Sequence, residues 1–189
     1  MAETARTANT REQILEAAEN LFASQGYQAT TIKQVAGAVG IRGPAIYKHF
    51  DSKRALFEAV LEGLFAPFLA LMDDEAAAGG NLDGVVAQHL GNPNASRIVQ
   101  HATLSGGEDL ALLVERWYLP FFHDVRELAA TEGEFSPVVV MAFHSMLLGY
   151  LTLAPLHQAI FEIDPLSADA VGEMLRLQSE LVAQLAART

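Results

Sequence analysis

At 189 residues, 51% hydrophobic and 19% charged, the chain is long enough to bury a sizeable core, and its composition excludes a disordered protein. It has no cysteine, which excludes disulfides and thiolate chemistry. The formal charge of −11 averages two unlike parts: residues 1–55 hold seven basic against five acidic side chains, and residues 56–189 hold five against eighteen. All three lysines, Lys33, Lys48 and Lys53, fall in the first part. Such asymmetry points to one segment that meets a polyanion and another that does not.

Helical patterns begin near the N-terminus. Residues 1–9 carry no periodic pattern and no apolar run, so they read as a flexible lead without a secretory signal. Thr10-Arg11-Glu12-Gln13 has the form of a capping box. Ile14, Ala18, Leu21 and Phe22 follow at helical spacing, and Gly26 supplies a stop. A second box, Thr31-Ile32-Lys33-Gln34, opens a two-turn helix with Ile32, Val35, Ala36 and Val39 on one face. Gly40 then permits a sharp turn, because it takes positive φ cheaply.

The next helix begins near Arg42 to Pro44, since proline is tolerated in a first turn, and is expected to reach about Phe50. Asp51-Ser52 offers the cap of a fourth helix containing Ala55, Leu56, Ala59 and Val60. Two short helices across a glycine turn make a helix-turn-helix, a motif that sets its second helix in the DNA major groove. On a helical wheel Ile46 and Phe50 fall together as core positions and Lys48 falls opposite. Tyr47, Pro44, Ala45 and His49 fill the arc between. A surface that fits a groove needs small residues where the backbone approaches and donors for phosphates and base edges.

The run TTIKQVAGAVGIRGPAIYKHFDSKRALFEAV, Thr30 to Val60, closely resembles the DNA-binding segment of the TetR family of bacterial regulators. Paired threonines, the Ile–Ala helix, the glycine turn, the aromatic-x-His-Phe ending and the following lysine all stand in register, over roughly residues 10 to 60. Beyond residue 60 the likeness is one of architecture. The resemblance implies a homodimer that binds an operator and is released when a small molecule binds the second domain. It makes Thr31 a helix cap that touches a phosphate, Tyr47 and His49 backbone contacts, and Lys53 another phosphate contact. Gly43, Pro44, Ala45 and Lys48 sit where the family reads bases. For His49 the competing reading is a satisfied surface histidine. Arg42 departs from the serine or threonine usual there; it either clamps a phosphate, reaches guanine or extends along the backbone.

Glycine-rich breaks at residues 79–81, 91–94, 106–107 and 133 divide the remainder into further helices. Ser105-Gly106-Gly107-Glu108 resembles a capping box for a helix over 109–131, which Pro120 should kink. Trp117, Tyr118, Phe121, Phe122 and His123 cluster around that bend, either as a pocket wall or as ordinary core. Phe143, His144 and Tyr150 on the later apolar helix are added as pocket candidates. The run Val138 to Ala154 tempts a membrane reading. It contains His144, Ser145, Gly149 and Thr152 and lacks a basic flank, so it reads as a buried helix. Asp164-Pro165-Leu166-Ser167 opens the last helix, whose stripe is Val171, Met174, Leu175, Gln178, Leu181, Val182 and Leu185. With Leu147 and Leu151, this stripe is the expected dimer interface, a packing surface larger than one monomer needs, and it is expected to pack inside its own domain as well.

The histidines lack metal-ligand spacing, and no phosphate-binding loop, nucleophile elbow or HExxH occurs, so neither a metal, a cofactor nor a catalytic residue is expected. The whole reads as all-α. Residues 1–55 form a three-helix DNA-binding domain, and residues 56–189 form a helical effector-binding and dimerisation domain. The expected protein is a cytoplasmic, dimeric, ligand-responsive transcriptional regulator, a repressor, binding double-stranded DNA and no membrane. An activator is the nearest alternative, and a helical ligand-binding or enzyme domain with a vestigial DNA motif the next. The makeup of the second part leans towards an apolar or cationic effector.

Overall fold

A computed structural model describes residues 2–70, 82–120, 122–123 and 137–186, and among these every regular element is a helix. Helix α1 spans Ala2–Ala29. It therefore runs through Thr10, and the capping box expected there lies inside the helix. At Gly26 the backbone takes φ 79 and ψ 165, which breaks the helix before one more turn to Ala29. Ile14, Ala18, Phe22 and Ala23 form its buried face.

Helix α2, Ile32–Val39, starts on the expected box: the Thr31 hydroxyl accepts from Gln34 N, and the Gln34 side chain accepts from Thr31 N. Gly40 closes it in the left-handed region at φ 76, its N–H reaching back to the carbonyls of Ala36 and Gly37. Helix α3 is shorter than its sequence pattern suggested, Gly43–Ile46, with Arg42 at its N-cap. Single turns carry the chain on, with His49 N donating to Ile46 O and Phe50 N to the same carbonyl. Helix α4, Lys53–Ala70, is capped as expected by the Ser52 hydroxyl on Ala55 N.

Helices α5 (Leu82–Gly91), α6 (Pro93–Ser105) and α7 (Gly107–Leu113) follow. Ser105 ends α6 and Gly106 precedes α7 without a side-chain cap, so the box expected at Ser105 does not form. From α7 the chain enters a wide π turn, Val114–Tyr118, in which Leu119 N–H reaches Val114 O. The expected irregularity thus arrives one turn before Pro120. A proline ring at 120 crowds the carbonyl of residue 116, and widening the preceding turn relieves that contact. Helix α8, Pro137–Phe161, continues past Pro155, and α9 is Ala168–Ala186. Asp164 Oδ1 accepts from Leu166 N, and the Ser167 hydroxyl accepts from Ala170 N at the start of α9.

One apolar core runs from Ile14 in α1 through α2, α3, α4 and α6 to Leu113 and Trp117 at the π turn. Phe22, Tyr27 and Phe57 form its aromatic centre, with ring centroids 4.7–5.8 Å apart. A smaller core, Val86, Leu147, Leu151 and Met174, joins α5, α8 and α9. Among the described residues no helix is long and apolar enough to cross a membrane.

Candidate DNA-binding surface and effector cavity

Two anchors orient α3. Ile46 is fully buried and Phe50 nearly so, and the Arg11 guanidinium lies 5.1 Å from the centre of the Phe50 ring. Fixing those positions turns Arg42, Pro44, Tyr47 and Lys48 to solvent, with Tyr47 54% exposed. Gly43, Ala45 and His49 are half-buried, and Thr31 is exposed at the start of α2. The arrangement is the one the helical wheel requires. Arg42 makes no side-chain hydrogen bond to the start of α3, so its guanidinium is not spent on capping.

Lys53 is placed differently. Its ammonium donates to Tyr27 O at 2.8 Å and Thr30 O at 2.9 Å, and sits 4.1 Å from the Tyr27 ring centre. Those carbonyls lie at and just beyond the C-terminal end of α1, where a cation is favoured by the helix dipole. Burial lowers the Lys53 pKa, against a smaller opposing pull from Asp109. Two of its three donors are committed inside the protein.

Arg54 turns the other way, away from α3. It pairs with Asp109 at 2.9 Å and Glu108 at 3.4 Å, and Gln28 Nε2 donates to the other oxygen of Asp109 at 2.8 Å. Asp109 is only 3% exposed, so this is a charge pair in low dielectric, tying α7 to the ends of α1 and α4. Further along, Arg116 pairs with Glu58 at 3.6 Å and Glu62 at 3.2 Å. Helix α4 and the α7–π segment are therefore pinned together along their length, in the same chain direction.

Where these two elements end, a cavity of about 50 Å³ opens. Phe65, Phe68, Leu69, His89, Trp117, Tyr118, Phe122 and His144 line it. The Tyr118 hydroxyl is 3.5 Å from His144 Nε2, and Phe68 meets the His89 ring edge-on at 4.5 Å. Burial, assisted by the neighbouring His89, lowers the His144 pKa from 6.5 to about 4, so the imidazole is neutral at pH 7. Burial likewise raises the Tyr118 pKa and keeps its phenol protonated.

A second, open groove of about 580 Å³ lies between α8 and α9, bordered by Met146, Leu153, Phe161, Met174, Leu177 and Gln178 among others. Its rim is apolar, with Leu153, Phe161, Ile163 and Leu177 exposed, and Ile160 and Leu181 on the same two helices are exposed too.

Comparison with known proteins gives a consistent result. The sequence model described as bacterial regulatory proteins, tetR family, matches residues 14–60. Nucleoid occlusion factor SlmA of Photobacterium profundum is 31% identical over 155 residues, 75% of this chain and 79% of that protein. The chain belongs to the tetR family. The HTH-type transcriptional repressor KstR2 of Rhodococcus jostii is 32% identical over 77 residues, 41% of this chain but only 38% of the repressor. In fold, NalD, the secondary repressor of the MexAB-OprM multidrug efflux pump in Pseudomonas aeruginosa, superposes with a TM-score of 0.60. That match has 23% identity and covers 93% of this chain and 96% of that one.

The tetR-family fold gathers the residues singled out from sequence into three places. Trp117, Tyr118, Phe122 and His144 meet around the cavity. His123 is exposed and, like Phe143, is not among the residues lining it, while Phe121 lies outside the described residues. Tyr150 belongs to the α8–α9 groove instead, its hydroxyl donating to Pro165 O at 2.6 Å. Of the interface candidates, Leu147, Leu151, Met174 and Gln178 are buried, Val171 and Leu175 are half-buried, and Leu181 is exposed. Leu147, Leu151 and Met174 pack α8 against α9 within one chain. The side chains of Val182 and Leu185 lie outside the description. Phe65, Phe68, Leu69 and His89 were missed; the first three continue the apolar face of α4, a signal visible in sequence, whereas His89 carries none.

Proposed function

We propose that this DNA-binding regulator of the tetR family acts as a homodimeric repressor. Two copies present α2 and α3 to successive major grooves, about 34–36 Å apart, and a small molecule in the α4–π-turn cavity releases them. The observation that carries this reading is the outward set Arg42, Pro44, Tyr47 and Lys48, held by buried Ile46 and Phe50. In this scheme Thr31, Tyr47 and His49 meet the DNA backbone, Arg42 and Lys48 take phosphates or base edges, and Gly43, Pro44 and Ala45 allow close approach. Lys53 acts mainly by fixing the end of α1, and its remaining donor is available to a phosphate. Residues 1–55 serve as the DNA-binding part and residues 56–189 as the effector and dimer part, with α4 shared between them. The exposed apolar rim of α8 and α9 pairs two copies, around a seam of Leu147, Leu151 and Met174 internal to each.

The effector acts through differential affinity for two spacings of the recognition helices, and it shifts DNA binding only by that difference. The direct test is fluorescence anisotropy of DNA from upstream of this protein's own gene, against an unrelated duplex of equal length, at several salt concentrations. Tight, salt-sensitive preference for the upstream fragment supports the reading. Equal weak binding to both sinks it. A second reading takes its support from several relatives that span about three quarters of the chain and are nucleoid occlusion factors. Under it the protein occupies many chromosomal sites; mapping bound DNA across the genome separates the two.

A further inference from the structure

We propose that the α4–π-turn cavity takes a compact, uncharged, largely aromatic molecule bearing one hydrogen-bond acceptor, and that it admits the molecule by widening. This deepens the effector reading and rests on it.

Four observations carry the inference. First, the lining is aromatic, with Phe65, Phe68, Trp117, Tyr118 and Phe122 facing one another. Among the described residues no carboxylate, lysine or arginine lines it. A charged ligand there would leave water without a counter-charge. Second, the indole N–H of Trp117 is buried and has no hydrogen-bond partner among the described residues, although the side chain is 4% exposed. Buried donors are rarely left so, and the ring that carries this one lines the cavity. The neighbouring Tyr118 hydroxyl has only a long, 3.5 Å approach to His144. The wall thus offers donors, and an acceptor on the ligand satisfies them where an ammonium would not.

Third, the volume is about 50 Å³, a third of the roughly 150 Å³ in which a benzene ring is held in a protein core. Occupancy therefore requires the wall to move. Fourth, two of the helical segments that form the wall are interrupted at its level. Pro67 removes the α4 hydrogen bond to the carbonyl of Gly63, and the opposite side is the π turn Val114–Tyr118. Phe65, Phe68 and Leu69 flank the first break; Trp117 and Tyr118 sit in the second. Widening by displacement of either segment pulls on Arg116, and through α7 on Asp109 and Arg54.

Trp117 is the chain's single tryptophan, so its indole gives one side-chain resonance in a ¹H–¹⁵N spectrum. The full-length protein is titrated with acetophenone, ethylbenzene, benzoate and phenyltrimethylammonium. Acetophenone is expected to shift the indole proton downfield in a saturable way and to bind at least ten-fold more tightly than either ion. Ethylbenzene is expected to bind several-fold more weakly than acetophenone, without the downfield shift. In Trp117→Phe, followed by ligand-observed NMR, the ratio of acetophenone to ethylbenzene affinity should fall several-fold, whatever the change in wall volume does to both. Preference for phenyltrimethylammonium, preference for benzoate, or failure of all four to bind overturns the proposal, and the wild-type panel decides even if the variant does not fold. Operator anisotropy run in parallel separates the two levels. Binding in the cavity with unaltered DNA affinity would sink the effector reading alone, and intact operator binding with an empty cavity would sink this inference alone.

Discussion

Lys48 and Lys53 stand five positions apart and differ in what they touch. Lys48 is exposed. Lys53 holds two backbone carbonyls at the end of α1 and lies over Tyr27. Replacing Lys48 with alanine should change unfolding free energy by less than about 0.5 kcal/mol while weakening operator binding. Lys53→Ala should destabilise by about 1–3 kcal/mol, since charged hydrogen bonds are lost from a half-buried site. Urea unfolding and DNA anisotropy on both variants check the pair. Two glycines give a similar contrast. Gly40, at φ 76 and ψ 25, is in the left-handed region with open space around it, and alanine there should cost about 1–2 kcal/mol. Gly26, at φ 79 and ψ 165, is in a region essentially reserved for glycine, and an added Cβ would stand 3.2 Å from His101 Nδ1. Gly26→Ala should therefore destabilise clearly more than Gly40→Ala, as a thermal melt of each would show.

At the scale of elements, the cavity wall brings a pH dependence. His144 on α8 is neutral when folded, with its pKa lowered to about 4 by burial first and His89 second, whereas unfolded it titrates at 6.5. The unfolded chain therefore binds the proton first as pH falls. The full stability is present above pH 6.5 and is lost progressively down to pH 4, by about 3 kcal/mol in all. His144→Phe should flatten the wild-type loss over that window in denaturant titrations. The sequence announces some elements better than others, for physical reasons. Thr31, Gln34 and Gly40 act locally, through a capping box and a left-handed turn, so α2 is readable residue by residue. Thr10 has the same local pattern, yet α1 runs through it, because a cap motif does not stop a helix that can continue upstream. Helix α3 falls short of Phe50, since its place depends on Ile46 and Phe50 reaching the core rather than on its own hydrogen bonds. The π turn could not be read from Pro120 alone, because the strain of a proline can be relieved on either side of it. His89 enters the cavity from α5 by tertiary packing, which no spacing rule records.

For the whole molecule, the balance of charge and of apolar surface decides what meets what. The α8–α9 stripe reads in sequence as serving both its own domain and a dimer, and packing divides it: Leu147, Leu151 and Met174 close the seam inside one chain, and Leu153, Phe161, Leu177 and Leu181 remain outside. Leu177→Glu should thus yield a folded monomer by sedimentation, and Leu147→Glu should unfold this part instead. Asp109 ties α7 to α1 and α4, so in the proposed scheme the cavity and the DNA-facing helices communicate through it. Asp109→Asn removes the buried carboxylate that faces the half-buried Arg54, which keeps only Glu108, and should destabilise by roughly 1–3 kcal/mol. It should also reduce the effect of any cavity ligand on DNA affinity, read as the ratio of operator affinities with and without that ligand.

The continuous core also governs how the protein can be cut. Ile14, Phe22, Phe57, Ile98, Ala102 and Trp117 belong to one packed body, so a break after residue 55 would leave Leu56, Phe57, Val60 and Leu61 behind and strip Phe22 of its neighbours. A graft that moves this recognition surface onto another regulator must carry α4, α6 and α7 with it. Swapping only the exposed residues of α2 and α3 avoids that problem altogether. If α2 and α3 read DNA as proposed, re-aiming this protein at a new operator is a matter of surface substitution rather than of domain exchange.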